Sequence, residues 1–445
     1  MQEARESRVK VRWYREAPLV RTPWDGVAVE QEVPIMPQRV LSSELPAHVG
    51  ETVLLRGWVH RRRSLKSVSF LIVRDRAGLA QVVMPEPVET PEESAVAVVG
   101  TVVANPAAPA GVEVVKPTVD ALAAAETPPF ELFRPDLAAG LSTRLDAAPL
   151  AFRHPGTRTA LETAAAATRG FRTALEKSGF TEIFTPKLVA TATESGANVF
   201  PVDYFGRTAY LAQSPQFYKQ LMVGVFERVF EVGPVFRAEP HDTGRHLAQY
   251  TSLDAELGFI EDHRDVMAVV REAIAGMVEA AAPGLDVPID IPDIHFPDAL
   301  RVAGARPDEP DLSPADERAL GEWARREHGS DFLFVTGYPM VKRPFYTHPD
   351  PADARWSNSF DLLFRGVELV TGGQRLHRHG DYLAALAARG QPVEPYRSYV
   401  DAFRYGIPPH GGFAIGLERF VARLLGLANV REATAFPRDR TRLEP

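Results

Sequence analysis

The hydrophobic period of this chain changes once, and that change limits the fold more than any other feature. Between residues 38 and about 115 the runs TVLLRGWVH, SVSFLIVRD, LAQVVM, AVAVVGTVVA and GVEVV read as short strands. Turn signals separate them at roughly 8–12 residues, which predicts a small all-β barrel or sandwich. From residue 151 onward the pattern mixes. RTALETAAAATRGFRTALEKSG carries a helical stripe that stops at Gly179. Strand-like runs follow at AYLAQ, RVFEVGPVF, SLDAELGFI, FLFVTGY, FDLLFRGVELVTG and GGFAIGL. The Ala- and Pro-rich stretch 116–150 reads as a hinge. Residues 1–37, rich in Arg and Glu and without a period, read as a disordered N-terminal extension. The expected class is α+β.

Composition removes several function classes. With no cysteine, neither a disulfide framework nor a Cys-based zinc site is possible. No apolar run approaches the roughly 18 residues of a membrane span. The start, MQEARESRVKVRWYRE, has no apolar core of a secretory signal. A cytoplasmic protein with no membrane partner is expected. The net charge of -8 argues against wholesale nucleic-acid coating, although Arg61-Arg62-Arg63 is a local basic patch. Neither a GxxxxGK[ST] loop nor a GxGxxG loop is present, so those two phosphate-binding solutions are absent.

The stretch FRAEPHDTGRH (236–246) poses the functional question, because charge at the end of a buried strand is costly without a partner. Arg237 and Glu239 are two apart and share a face. An Arg holds phosphate by bidentate hydrogen bonds, and Glu239 can accept from an amine such as that of adenine. A plain Arg–Glu ion pair is the alternative. Arg245 and His246 add cationic donors. GGFAIGLERF (411–420) runs a strand into a helix start near Arg419, a combination suited to phosphate, or else a plain strand-to-helix turn with a surface Arg. FRGVELVTGGQR (364–375) sets Glu368 and Thr371 ahead of a Gly-Gly turn, where they could hold a hard divalent cation, or else merely flank the turn.

Together these stretches resemble the class II aminoacyl-tRNA synthetases. FTPKLV (184–189) looks like motif 1, VFRAEPHDTGRH like motif 2 and GGFAIGLER like motif 3. Each motif is loose alone, but the three in this order are specific. TESGANVF (193–200), QSPQFYKQ (213–220), GRHL (244–247) and VELVTGGQRLH (367–377) are similar to the archaeal-type aspartyl enzymes of that class. The resemblance implies an antiparallel six-stranded catalytic sheet flanked by helices over 151–445. It implies an N-terminal OB-fold barrel over 38–115 that binds the anticodon, and a homodimer. It also implies that L-aspartate is activated by ATP and joined to tRNA(Asp).

The site residues follow from the same resemblance. Arg237 would hold the α-phosphate, Glu239 the adenine, and Arg245 and His246 the outer phosphates. Leu247, Tyr250, Gly416, Leu417 and Glu418 complete the ATP set. Tyr250 stands where a Phe usually stacks under the adenine. Arg419 would lie on the adenine and reach the γ-phosphate. Glu368 and Thr371 would hold Mg²⁺, with Thr371 in place of the usual Ser. Glu194 and Gln216 would contact the amino group of the amino acid, with Ser214 beside them, and Lys219 and Arg375 would supply two cations for its side-chain carboxylate. An amide there would leave buried charge unmatched, at about 1–3 kcal/mol per lost partner.

Phe70, in GWVHRRRSLKSVSFLIVRDRAGLAQVV (57–83), can stack on an anticodon base or sit in the barrel core. Gln81 can meet a base edge. His60 occupies a position that is commonly Trp in archaeal-type enzymes strict for one tRNA. A smaller ring able to donate or accept implies tolerance of both C and U at the third anticodon base. That tolerance would make tRNA(Asn) a second substrate and a tRNA-dependent amidotransferase a partner. The alternatives are a strictly discriminating enzyme, a tRNA-independent asparagine synthetase, and a non-catalytic RNA-binding paralogue. The barrel region argues against the synthetase, and the standing Arg237, Arg375 and Arg419 argue against the paralogue.

Overall fold

The computed structural model describes residues 37–65, 68–192, 198–238 and 243–444. The N-terminal extension as far as residue 36, together with Glu194 and Glu239, lies outside the described residues. The chain forms two compact units that divide between Leu150 and Ala151.

The first unit is built on β1 (Thr52–Ser64), β2 (Ser69–Arg74), β3 (Leu79–Met84), β4 (Ala95–Ala104) and β5 (Val112–Ala123). They close into a barrel in the order β1-β2-β3-β5-β4, one of the two architectures the alternation allowed and the OB-type one that the resemblance implied. Period 2 is the cause: Val53, Leu55, Val59, Leu71, Val73, Val82, Val98 and Val114 turn inward into one apolar cluster. The last strand runs past the boundary expected at residue 115, because Val119 and Ala121 still pair with Val98 and Val96 of β4. The register of β1 against β2 slips between Val59 and Arg61, so His60 is the extra residue of a β-bulge. Two short helices follow, α1 (Leu141–Asp146) and α2 (Ala148–Ala151).

The second unit begins with α3 (Pro155–Lys177), the helix read from the sequence. It continues through β6 (Thr181–Glu182), β7 (Leu188–Val189), β8 (Pro201–Tyr204), β9 (Arg207–Leu211), α4 (Gln216–Phe226), β10 (Arg228–Phe236), β11 (Gln249–Gly258) and α5 (His263–Ala281). Next come β12 (Asp293–His295), α6 (Phe296–Ala303), α7 (Pro314–His328), β13 (Phe332–Thr336), β14 (Ser359–Phe364) and β15 (Glu368–Gln374). The chain ends with α8 (His379–Ala388), α9 (Arg397–Ala402), β16 (His410–Gly416) and α10 (Leu417–Leu425). No helix among the described residues is long and apolar enough to cross a membrane.

Eight strands form the main sheet in the order β12-β13-β14-β15-β16-β11-β10-β6. The six from β13 to β10 pair antiparallel throughout, as expected, and the short edge strands β12 and β6 pair parallel. The run FDLLFRGVELVTG divides into β14 and β15 at Arg365–Gly366, where both residues have positive φ. Its Gly-Gly pair is not the expected turn. Gly372 and Gly373 lie within β15, where a Cβ on Gly372 would stand 2.5 Å from the Phe360 ring and one on Gly373 2.6 Å from the Asn358 carbonyl.

Helices α3 and α5 cover the sheet, burying Phe171, Leu175, Val270 and Ile274 with Phe230, Leu253 and Phe413. Their packing depends on a backbone contact: a Cβ on Gly170 would collide with the Gly276 carbonyl. Gly170→Ala is therefore expected to lower stability by about 1–3 kcal/mol, read as a drop in the denaturant midpoint. An unchanged midpoint would mean that the two helices separate without cost.

Candidate active site

Adjacent strands β15, β16, β11 and β10 present one end of the sheet to a pocket of about 300 Å³. Arg237, leaving β10, reaches it from one side, and Glu368 and Thr371 of β15 from another. Arg419, in the first turn of α10, closes a third. Arg245, His246, Leu247, Tyr250, Gly416 and Glu418 also line it. The sequence reading thus named most of the wall. Leu417 is the exception: its side chain packs into the core, so only its backbone could serve a ligand.

The local geometry suits a polyanion. The Arg237 guanidinium lies over the Tyr250 ring, 5.6 Å from its centre. Arg419 Nη1 donates to the Glu368 carbonyl at 2.8 Å and approaches its carboxylate at 3.4 Å. The Thr243 hydroxyl accepts from the Arg245 amide and lies 2.6 Å from His246 Nδ1. Burial pushes the Glu418 carboxyl up to about 7, although it accepts from the Thr251 amide.

Glu368 and Thr371 are hydrogen-bonded at 3.2 Å, which brings two hard oxygen donors together on the pocket wall. Among the described residues no group of three or more His, Asp or Glu forms a metal cage. Two protein oxygens on the wall of an arginine-lined pocket fit Mg²⁺, which keeps waters and takes its other ligands from a phosphate group. Sequence reasoning missed two acids nearby. Glu317 of α7 accepts from the Glu368 amide and pairs with Arg245 at 3.4 Å. Burial and then the Glu368 charge raise its pKa. Asp361 of β14 stands opposite Thr371, and its pKa is also raised, by burial first and by Glu368 against the opposing Arg343.

Below the pocket lies a fully buried charge network. Lys219 Nζ donates to Asp254 at 3.0 Å and to the Phe413 carbonyl at 2.9 Å, and stands 3.3 Å from Glu256. Arg375 Nε donates to Glu256 at 3.0 Å, and its Nη2 to the Gly412 carbonyl at 2.9 Å and to Gln216 at 3.5 Å. The two cations expected at the substrate carboxylate thus have protein partners in this structure. Both are already matched by carboxylates of β11. The missed signal was SLDAELG: Asp254 and Glu256 are two apart in a buried strand and share a face. Burial would raise the Glu256 pKa, but Arg375 and Lys219 together hold it below the usual range. Lys219 is 1% exposed and committed. Arg375 Nη1, by contrast, makes no hydrogen bond among the described residues. Gln216 Nε2 is buried and equally unmatched, a donor suited to a carboxylate rather than to an amino group. Ser214 is buried beside it, accepting from the Gln216 amide.

On the barrel, Phe70 is not a core aromatic, because Leu71 and Val73 fill the interior. It lies half-buried on the outer face, diagonal to Gln81 across β2 and β3. Gln81 Nε2 is committed to Glu113 at 2.9 Å. Arg74 donates to His60 Nδ1 at 3.1 Å while gripping Glu93 with both Nη atoms. Since Arg only donates, the neutral His60 carries its hydrogen on Nε2. Of the arginine run, Arg61 stacks on Phe133 and Arg62 donates to the carbonyls of Val88 and Glu89.

Residues 140–440 match the family of class II tRNA synthetases (D, K and N), and residues 53–118 match the OB-fold nucleic acid binding domain. The chain is 48% identical over 428 residues to an aspartate–tRNA(Asp/Asn) ligase of Thermus thermophilus, covering 92% of this chain and 100% of that one. It is 46% identical to the ligase of the same name from Deinococcus radiodurans, covering 92% and 99%. Among solved structures, the asparaginyl-tRNA synthetase of Pyrococcus horikoshii complexed with asparaginyl-adenylate superposes with a TM-score of 0.83 at 32% identity, covering 91% of this chain and 99% of that one. With both the sheet unit and the barrel matched and near-full-length relatives at almost half identity, the chain belongs to the class II tRNA synthetases of the D, K and N group.

Proposed function

We propose that the chain is a cytoplasmic ATP-dependent ligase that joins L-aspartate to tRNA(Asp) and to tRNA(Asn) through an aspartyl-adenylate. The observation that carries this reading is the junction of two subsites on one sheet. The arginine-walled pocket shares β11 and β16 with a buried cluster in which Arg375 Nη1 and Gln216 Nε2, donors that suit a carboxylate, make no hydrogen bond among the described residues. Near-full-length likeness to ligases of that name supports it.

In the first step the α-carboxylate of aspartate attacks the α-phosphorus of ATP. The new C–O–P bond forms as the bond to the β-phosphate breaks, and pyrophosphate leaves. A carboxylate is already ionised, so no side chain need remove a proton. The protein contributes position and charge stabilisation. Arg237 holds the α-phosphate, where negative charge shifts in the transition state, and Tyr250 with Arg419 brackets the adenine. Arg245, His246 and Arg419 bind the outer phosphates. Glu239 and Glu194 keep their expected roles at the adenine and the amino group. Leu247, Gly416, Leu417 and Glu418 shape the pocket. Glu368 and Thr371 would hold Mg²⁺, which supplies charge neutralisation at the phosphates. In the second step a hydroxyl of the tRNA terminal adenosine attacks the activated carbonyl and AMP leaves.

Arg375 leads amino-acid selection, with Gln216 and Ser214 beside it, and Lys219 acts by fixing Asp254 and Glu256. The edge strand β6, with exposed Phe184, Val225, Phe226 and Phe259 in its neighbourhood, supports a homodimer. For tRNA choice, His60 Nε2–H is a donor that the O2 atom of either C or U accepts, with Phe70 and Gln81 contacting neighbouring bases. Charging of tRNA(Asn) with aspartate implies an amidotransferase partner to finish Asn-tRNA(Asn).

Three outcomes test this. Arg237→Ala should abolish aspartate-dependent pyrophosphate exchange in a folded enzyme, losing at least about 100-fold as for other transition-state donors; near-normal exchange would refute its role. Arg375→Lys should raise the KM for aspartate by about 10- to 100-fold, the worth of a charged hydrogen bond, with little effect on ATP; equal losses would make Arg375 structural. Transcripts of both tRNAs should be aspartylated, and His60→Trp should depress tRNA(Asn) preferentially. If wild-type charging of tRNA(Asn) is below about one hundredth that of tRNA(Asp), a gap of about 2.7 kcal/mol, the enzyme is discriminating.

A further inference from the structure

A second cationic cleft adjoins the pocket, and the catalytic reading leaves it without a task. Helix α7 rests on the Arg365–Gly366 turn so closely that a Cβ on Gly321 would stand 2.5 Å from Gly366 Cα. Beside this contact opens a cleft of about 460 Å³ lined by Arg318, Arg325, Arg326, Arg365 and Arg423, with Glu322 the acidic residue of its wall. The guanidiniums come from three elements, α7, the β14–β15 turn and α10, and face a common hollow rather than forming a line along one helix.

The cleft's charge is only partly matched. Arg325 and Arg365 share Asp331, at 2.5 and 2.8 Å, and Arg326 pairs with Glu327 at 2.8 Å. Arg365 Nη1 also donates to the carbonyls of Arg423 and Leu424, which ties the turn to the end of α10. Arg318 and Arg423 make no hydrogen bond or ion pair among the described residues. Arg423 is half-buried and lies one turn beyond Arg419 on α10, while Arg318 follows Glu317, the partner of Arg245. Burial and then the charges of Arg245, Arg318 and Arg419 press the Arg423 pKa down, against Glu317 alone. Unmatched guanidiniums crowded this way are relieved by an anion, and by a compact one with several oxygens most of all.

We propose that this cleft is a second anion site for a small inorganic polyphosphate of the pyrophosphate class, positioned to take up the product beyond Arg245 and Arg419. The assignment rests on reading the adjoining pocket as the ATP site. Departing pyrophosphate then meets Arg423 and Arg318 next, so it leaves the reaction centre by exchange between cationic partners. A compact dianion or trianion fits the converging geometry better than an RNA backbone, which tracks extended basic stripes.

The test fills the ATP pocket with α,β-methylene-ATP, whose triphosphate occupies the outer-phosphate region, and then titrates inorganic pyrophosphate calorimetrically. Wild-type enzyme should bind one further pyrophosphate per chain. The Arg318→Ala/Arg423→Ala double variant should lose about tenfold or more of that affinity, the worth of charged hydrogen bonds, and keep its affinity for α,β-methylene-ATP. Arg318→Glu, on the exposed side of α7, should give the same loss should the double variant not fold. No pyrophosphate binding to the nucleotide-filled enzyme, or equal binding by wild type and variants, overturns the cleft assignment while leaving the ATP reading standing. A loss confined to binding of a tRNA acceptor-stem duplex would make the cleft an RNA contact and overturn it as well. Failure of α,β-methylene-ATP itself to bind would overturn both readings.

Discussion

The buried network of Lys219, Asp254, Glu256 and Arg375 is the constraint on which the catalytic unit depends. It joins α4 to the three neighbouring strands β15, β16 and β11 at the centre of the sheet. Two cations and two carboxylates are tolerable there only because each has fixed partners, including the carbonyls of Phe413 and Gly412. Removing one member would strand a buried charge, a loss of about 3–5 kcal/mol. His410, burial-shifted down to about 4 and donating to the Pro408 carbonyl, adds no charge to the balance. The network is thus neutral and rigid, and a rigid floor is what a site needs if it is to judge one substrate carboxylate against an amide.

Above that floor the pocket is organised by shared acids. Glu317 binds both the Arg245 side chain and the Glu368 amide. One carboxylate therefore sets the positions of Arg245 and Glu368, two residues of the pocket wall. Arg419 grips Glu368 from the other side. The same helix that supplies Glu317 carries Arg318 into the adjoining cleft, so the two cationic regions are built from common elements. The barrel uses the same device on a smaller scale. Glu93 fixes Arg74, Arg74 fixes the His60 tautomer, and a β-bulge supplies the space.

The sequence by itself determined the periods, and with them the two architectures. Alternation in TVLLRGWVH and its neighbours pointed to a small all-β barrel or sandwich, and RVFEVGPVF and GGFAIGL fell on β10 and β16 because their apolar runs are bounded by charge or by Gly. Most pocket residues were legible too, because Arg237, Arg245, Glu368 and Arg419 sit at strand and helix ends, where local pattern marks them. Tertiary structure alone decided the rest. Which carboxylates neutralise Lys219 and Arg375 depends on strand order, since β11 lies between β16 and β10 and its inward face is set only when the sheet forms. Phe70 could be assigned to the outer face only once the barrel closed around Leu71 and Val73. Glu317 lies far from the motifs in sequence, and Asp361 and Arg423 lie close to Glu368 and Arg419 along the chain but carry no local pattern that marks them. Their place beside the pocket follows from long-range packing, which no local pattern of residues encodes.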